Sequence, residues 1–276
     1  MKRTVRCSTR VVAMAIMMSL LVASYIAGPA MSAGATSPTN GGGRVLIGLF
    51  RLTPGTADGD HLSGTWFRML QPGAKVKSGP YMRNADSSAD GGLATLLQPG
   101  SAGGFRTGSY QSQPTPAFDS GGNSLAGAIT TPTKFFGVKF SISTNKVDPQ
   151  TLTACAPPAV VLKNGKLTAD LSSWAASWNN QNFNQGAPKP VRSTQAKSPG
   201  QQEAQQAWGW VSKRWLGSAS KATVTGTGAT GTFDSKTGKF VLQWTSYIQG
   251  GPFNGFTGLW HLEGVYRPSG RSSTSS

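Results

Sequence analysis

Apolar residues along this chain come in short runs separated by glycine and proline, and the spacing inside the runs is that of strands. Residues 44–52 (RVLIGLFRL) are apolar on both faces, which predicts a central strand, and residues 63–70 form a second run. In 134–143 (KFFGVKFSIS), Phe136, Val138, Phe140 and Ile142 fall at alternate positions, so a strand there puts all four on one face. Residues 159–163 and 166–171 are joined by Asn164-Gly165, a pair that accepts the positive φ angles of a type I′ hairpin turn. Runs at 221–233, 240–248 and 258–267 complete the series. Short strands divided by Gly/Pro turns predict an all-β fold over residues 44–268: an antiparallel β-sandwich, jelly-roll-like or built of two packed sheets.

Two stretches depart from this pattern. Residues 185–200 are rich in Pro, Lys, Ser and Gln and read as a surface loop. After them, Ser198-Pro199-Gly200-Gln201 has the form of a capping box with proline at the first helical position. Ala204, Trp208, Val211 and Trp215 then share one helical stripe. Glu203 stands early, Lys213 and Arg214 late, and Gly217 follows, as the helix dipole favours. One short helix near 201–215, its Trp stripe against a sheet, is the expectation. Residues 170–180 (DLSSWAASWNN) fit either period: Leu171, Trp174, Ala175 and Trp178 have helical spacing, while Trp174, Ala176 and Trp178 share a strand face. The hairpin just upstream favours a strand with an irregularity near Ser172. Leu70-Gln-Pro-Gly73 recurs as Leu97-Gln-Pro-Gly100, which suggests two strand–turn units of related shape but is too few copies for a solenoid.

The N-terminal end changes the picture by adding a location. Basic residues without acids at Met1–Arg6, an apolar run at 11–28 and a small-x-small site at Ala33–Ala35 form a secretory signal peptide over residues 1–35. Cleavage near Ala35 leaves disordered segments at 36–43 and 269–276, and membrane contact only transiently, during export. It also removes Lys2, Arg3, Arg6 and Arg10, lowering the net charge from +16 to +12. A secreted protein of that charge favours cell-surface glycans or other anionic polymers over nucleic acid. The basic residues are scattered in sequence, with no run of three. Cys155 is the one cysteine left, so no intramolecular disulfide can form, and a buried, unreactive thiol is expected. A monomer, or a weakly associated one, is expected.

Candidate chemistry is sparse. The chain holds few acids and two histidines, and it contains no Gly-x-Ser-x-Gly elbow, His-Glu-x-x-His helix or paired-cysteine zinc spacing. His261 and Glu263 are two apart on a strand and share a face; such a pair orients an imidazole as a general base, or forms a solvated ion pair. Asp86, Ser88 and Asp90, followed by Gly91, match the first half of a calcium loop, but Leu97 stands where a bidentate Glu belongs; calcium is therefore a minor alternative to no cofactor. Glycan-binding sandwiches set aromatic faces beside amides. Trp178, Asn180 and Asn182 offer that chemistry, with Trp210 and Tyr247 as further candidates, against the alternative that the tryptophans fill the core.

Three segments, Asp170–Trp174 continuing to Trp178-Asn179, Asp234–Lys239, and Gly250–Gly264 (GGPFNGFTGLWHLEG), resemble a pattern in exported bacterial β-sandwich proteins of unassigned activity. Some of those are sorted to the cell surface by a short C-terminal membrane-anchoring signal, whereas this chain ends in the polar run 268–276. The resemblance covers the C-terminal third, implies a secreted β-sandwich and brings no catalytic residue with it. The expectation is a non-enzymatic binding or structural protein of the bacterial cell envelope or extracellular space. The rival is a secreted hydrolase acting on polysaccharide or ester through Asp, Glu and His side chains assembled by the fold.

Overall fold

The computed structural model describes residues 42–150, 152–189, 207–209, 214–216 and 228–269. Their regular structure is nearly all strand, in two large antiparallel sheets packed together, with one short 3₁₀ turn at Ala89–Gly92 and a separate hairpin of Thr56–Asp58 and His61–Ser63. The expected all-β, sandwich-like fold is what forms. Among the described residues, no helix is long and apolar enough to cross a membrane.

The larger sheet runs in space through Arg44–Val45, Ala159–Lys163, Lys166–Asp170, Ala229–Phe233, Lys239–Tyr247, Thr257–Pro268, Gly48–Leu52 and Gly104–Arg106. Thr257–Pro268, at 12 residues, is long enough to change neighbours along its length. Its residues 264–268 pair with Gly48–Leu52, and its residues 257–261 pair with Trp66–Lys75. The smaller sheet runs through Arg214–Leu216, Ala207–Gly209, Gln181–Asn184, Trp174–Trp178, Val138–Thr144 and Thr133–Phe135.

Period-two patterning builds the core between them. Trp244 and Trp260 are cross-strand partners whose rings stack at 6.0 Å and 16°. Trp174 of the smaller sheet meets both edge-on, at 5.4 and 6.0 Å. All three are fully buried. Rings of this size each remove roughly 150–250 Å² from water, about 4–6 kcal/mol of gross stabilisation. The polar edges of two of them are satisfied at one place: Gln185 accepts from Trp244 Nε1 through its carbonyl (2.9 Å) and from Trp260 Nε1 through its side chain (3.1 Å), while Trp174 Nε1 has no hydrogen-bond partner among the described residues. Gly258 makes room for this clamp, since a Cβ there would lie 2.3 Å from Gln185 Oε1.

Several sequence expectations are corrected. No helix spans 201–215, because Ala207–Gly209 and Arg214–Leu216 are paired strands with Trp208 opposite Trp215. The helical stripe of tryptophans is a cross-strand pair, and the rest of that segment lies outside the described residues. The predicted surface loop begins as core: Gln185, Ala187 and Lys189 are buried, and 190–200 lie outside the described residues. Residues 170–180 form strands on either side of Ser172, as the hairpin argument required. Residues 44–52 are not one strand. The chain pairs at Val45 with Val161, crosses through Leu46 and Ile47, and re-enters the same sheet at Gly48, leaving Val45 and Ile47 exposed. Phe136 leaves the row of its neighbours to occupy a turn. The two Leu-Gln-Pro-Gly copies also differ: Gly73 sits at positive φ inside the irregular strand Trp66–Lys75, while Gly100 hydrogen-bonds to Ile129 in a loop.

Candidate functional site

The outward face of the larger sheet gathers the chain's most concentrated chemistry. Because side chains alternate along Thr257–Pro268, Trp260 and Leu262 turn to the core while His261, Glu263, Val265 and Arg267 turn outward. Registry then sets their neighbours. Gln243 and Trp66 flank His261; Lys239 and Arg51 flank Val265; Arg267 lies opposite Leu49, and Leu49 opposite Arg106. On the other side of Lys239–Tyr247, Val241 lies opposite Thr232, Thr232 opposite Lys166, and Lys166 opposite Lys163. Cations scattered over two hundred positions of sequence thus meet on one sheet face, against the carboxylates of Glu263 and Asp170. Arg51, Arg106, Lys163, Lys166, Lys239 and Arg267 are all exposed.

Two open grooves run over this face and share Thr53 and Val265. One, about 700 Å³, is walled by Arg51 and Arg267 on the sheet and by residues 99–103 of a loop. The other, about 500 Å³, is lined by Lys239, Asp234 and Glu263.

An aromatic row borders the grooves. The His261 imidazole stacks on Trp66 at 4.6 Å and 3°. The Arg68 guanidinium lies 5.3 Å from the centre of Trp66 and 4.8 Å from that of Tyr81, and it is ion-paired with Asp90. His261 Nε2 is 2.9 Å from Glu263 Oε1 and its Nδ1 is 3.1 Å from Gln243 Oε1, so both ring nitrogens are occupied. The other Glu263 oxygen accepts from the Gly64 amide at 3.0 Å. This arrangement holds the imidazole in place between an amide oxygen and a carboxylate. Asp234, the second carboxylate of the same groove, is held by the Thr237 hydroxyl and the Lys236 amide, which keep it below the usual carboxylate range.

The amide-and-aromatic candidates are not brought together. Trp178 is buried, its Nε1 donating to Phe135 O at 2.7 Å and Val138 O at 3.2 Å. Asn182 is also buried but projects from the opposite face of the sheet, beside Ser177. Asn180 is half of a two-residue turn, Asn179-Asn180, with φ of 49° and 58°. Tyr247 is half-buried, and its carbonyl accepts from Lys189. Trp210 lies outside the described residues.

The residues considered for calcium have other partners. Asp86 Oδ2 accepts from the Gly137 amide at 2.6 Å, and Asp90 pairs with Arg68. Among the described residues, no group of three or more His, Cys, Asp or Glu side chains is placed to hold a metal. Burial, with Asp148 nearby, pushes the Cys155 thiol up to about 12, so it stays protonated near neutral pH.

Sequence reasoning found His261 and Glu263 but missed Arg51, Arg267 and Lys239. The available signal was their alternation with Phe50, Tyr266 and Phe240, which assigns them to the outward face once strand partners are known. Comparisons of the chain with models of protein families, with curated proteins and with solved structures return no match.

Proposed function

We propose that this is an exported, non-enzymatic binding protein that holds an acidic polysaccharide on the outward face of its larger sheet. The observation that carries this reading is the sheet register, which collects Arg51, Arg106, Arg267, Lys239, Lys166 and Lys163 around open grooves. A field of one sign over a concave surface raises the local concentration of an anionic polymer and its rate of capture. Arginine adds paired donors that match a carboxylate or sulfate. The signal-peptide pattern supports a location where such polymers are found.

Affinity for heparin, used as a sulfated polysaccharide, measured at low salt and again at rising salt, tests the proposal. Each exposed ionic contact contributes about 0.2–1 kcal/mol, so the triple variant Arg51→Ala/Lys239→Ala/Arg267→Ala is expected to bind on the order of tenfold more weakly. Binding of the wild type is expected to fade as salt shortens the Debye length, and neutral dextran is expected not to bind. Unchanged heparin affinity in a triple variant of unaltered melting temperature overturns the reading.

A further inference from the structure

A separate feature lies between the sheets, away from the cationic face. A cavity of about 50 Å³ opens between side chains of both sheets, with Phe67 and Trp260 on one side, Phe140, Trp178 and Phe183 on the other, and Phe253 at its rim. Its wall is carbon. Among the described residues Gln185 is the one amide side chain there, and both ends of it are engaged: Oε1 accepts from Trp260 Nε1 at 3.1 Å, and Nε2 donates to Asn184 O at 2.8 Å. A polar group entering would find no hydrogen-bond partner, at a cost of about 1–3 kcal/mol. The size decides between hydrocarbons. A cavity of roughly 150 Å³ admits benzene, and this one is about a third of that, too narrow for a ring but open to a slender chain.

Half-buried Phe253 forms the rim, and an unusually held aromatic, Phe136, packs beside it. Phe253 sits 5.3 Å from Trp178 and 5.7 Å from Phe135, ring centre to ring centre, closing the cavity from the loop 249–256. That loop is latched at its base by Ile248 N donating to Phe256 O at 2.7 Å, so the Phe253 ring can swing without unpairing the strands behind it. Beside it stands Phe136, 38% exposed and at φ of +51°, a conformation that bulky residues rarely adopt. Asp86 holds that turn through the Gly137 amide, and the Phe136 ring packs 5.4 Å from Phe253. A backbone kept in a disfavoured region so that an apolar ring stands partly exposed beside the rim is the kind of feature found at ligand clamps.

We propose that this cavity binds the end of an unbranched alkyl chain, which enters past Phe253 while its polar end remains at the surface near Phe136. The donor of the chain is an amphiphile with an unbranched hydrocarbon tail, either free in solution or within a membrane lipid.

The test uses the contact quenching of tryptophan by bromine, because Trp178 and Trp260 line the cavity. The full chain is titrated with a fatty acid brominated near its methyl end, and in a second arm with vesicles of a phospholipid brominated at the same place. Saturable quenching is expected. Quenching by the acid alone assigns a free amphiphile, and quenching by vesicles as well assigns a membrane chain. Ala176 also lines the cavity, so Ala176→Leu is expected to fill it, raising the melting temperature and lowering the apparent affinity at least about tenfold. An unquenched wild type, or undiminished quenching in a folded Ala176→Leu variant, overturns the proposal. Should that variant not fold, Phe253→Ala decides: widening the rim is expected to admit bromobenzene, which the wild type excludes. Equal exclusion by both proteins overturns the assignment of the entrance.

Discussion

The two sheets carry the same alternation of apolar and polar residues and meet opposite surroundings. In the larger sheet the polar half faces water: Lys166, Thr168, Thr232 and Lys239 are exposed, while Leu167, Phe240 and Leu242 are buried. In the smaller sheet the polar half is buried too. Ser141, Ser143, Ser177, Asn182 and Asn184 are each at most 1% exposed, on the face turned away from the tryptophans. Loops supply their partners. Ser141 donates to Thr130 O at 2.9 Å, the Ser177 hydroxyl lies between Asn182 Oδ1 (2.7 Å) and Gln113 Oε1 (2.9 Å), the Asn184 side-chain oxygen accepts from the Gly186 backbone N–H at 3.0 Å, and the Asn184 backbone N–H donates to Gln150 Oε1 at 2.6 Å. Small polar side chains thus form a second buried layer, with most of their hydrogen bonds met within the protein and the Asn182 and Asn184 side-chain nitrogens left without a partner among the described residues. Alternation tells which residues share a face, and says nothing about whether that face is wet.

The sharpest way to break the comparison is to put the same charge on both faces. Ser177→Glu buries an unpaired carboxylate and is expected to cost about 3–5 kcal/mol. Thr168→Glu, at an exposed position of the same kind of pattern, is expected to change stability by no more than about 0.5 kcal/mol. Urea denaturation of the two variants measures the difference, and equal costs would refute a dry second layer.

A smaller effect is expected at Gln185, the polar residue that the inner faces share. Gln185→Leu removes the acceptor of Trp260 Nε1 but leaves the carbonyl that serves Trp244, so a loss of about 1–3 kcal/mol is expected. Thermal denaturation checks it, and a neutral substitution would mean that the clamp contributes no net stability.

The smallest effect is a pH dependence that only the buried polar region can produce. Lys189 is buried, donates to Asn184 O at 2.8 Å and also to Tyr247 O, and burial holds its amine down at about 7 despite the opposing pull of Asp148. In the unfolded chain the amine keeps its ordinary value near 10.4. Between these values the unfolded state binds the extra proton, so stability rises as pH increases from about 7 and falls as pH drops toward it. Cys155, whose folded value is raised, acts in the opposite sense above about pH 9, which leaves pH 7–9 as the clean window. Denaturation midpoints are expected to rise across that window in the wild type and to stay flat in Lys189→Met. The same pH series on Thr168→Glu should parallel the wild type.

Much of the fold is legible in the sequence because it rests on local chemistry. Asn164-Gly165 takes φ of 50° and 73° and closes its hairpin as the pair requires. The strand runs around Phe240, Trp244 and Trp260 bury the residues that their periods select. Two further turns of the same kind went unread. Asn179-Asn180 looked like ligand chemistry, and Phe136-Gly137 looked like strand, since Phe is a poor candidate for a positive φ. The helical stripe of Trp208 and Trp215 failed for a different reason: seven residues separate positions that a hairpin can also bring opposite each other, so spacing cannot decide between them.

The candidate site divides along the same line. His261 and Glu263 were readable as a pair because they stand two apart on one strand, and their contact at 2.9 Å is a short-range consequence. The pairing of Val265 with Arg51, and of Glu263 with the Gly64 amide, joins residues about two hundred positions apart. No periodicity encodes such contacts. Patterning along the chain was enough for the class of fold and the inward face of most strands, because those depend on neighbours within a few residues. The cationic face, the dry polar layer and the alkyl-sized cavity came only with the tertiary structure. They depend on strand order and on how two sheets pack, and those are settled by burial and hydrogen bonding across the whole molecule.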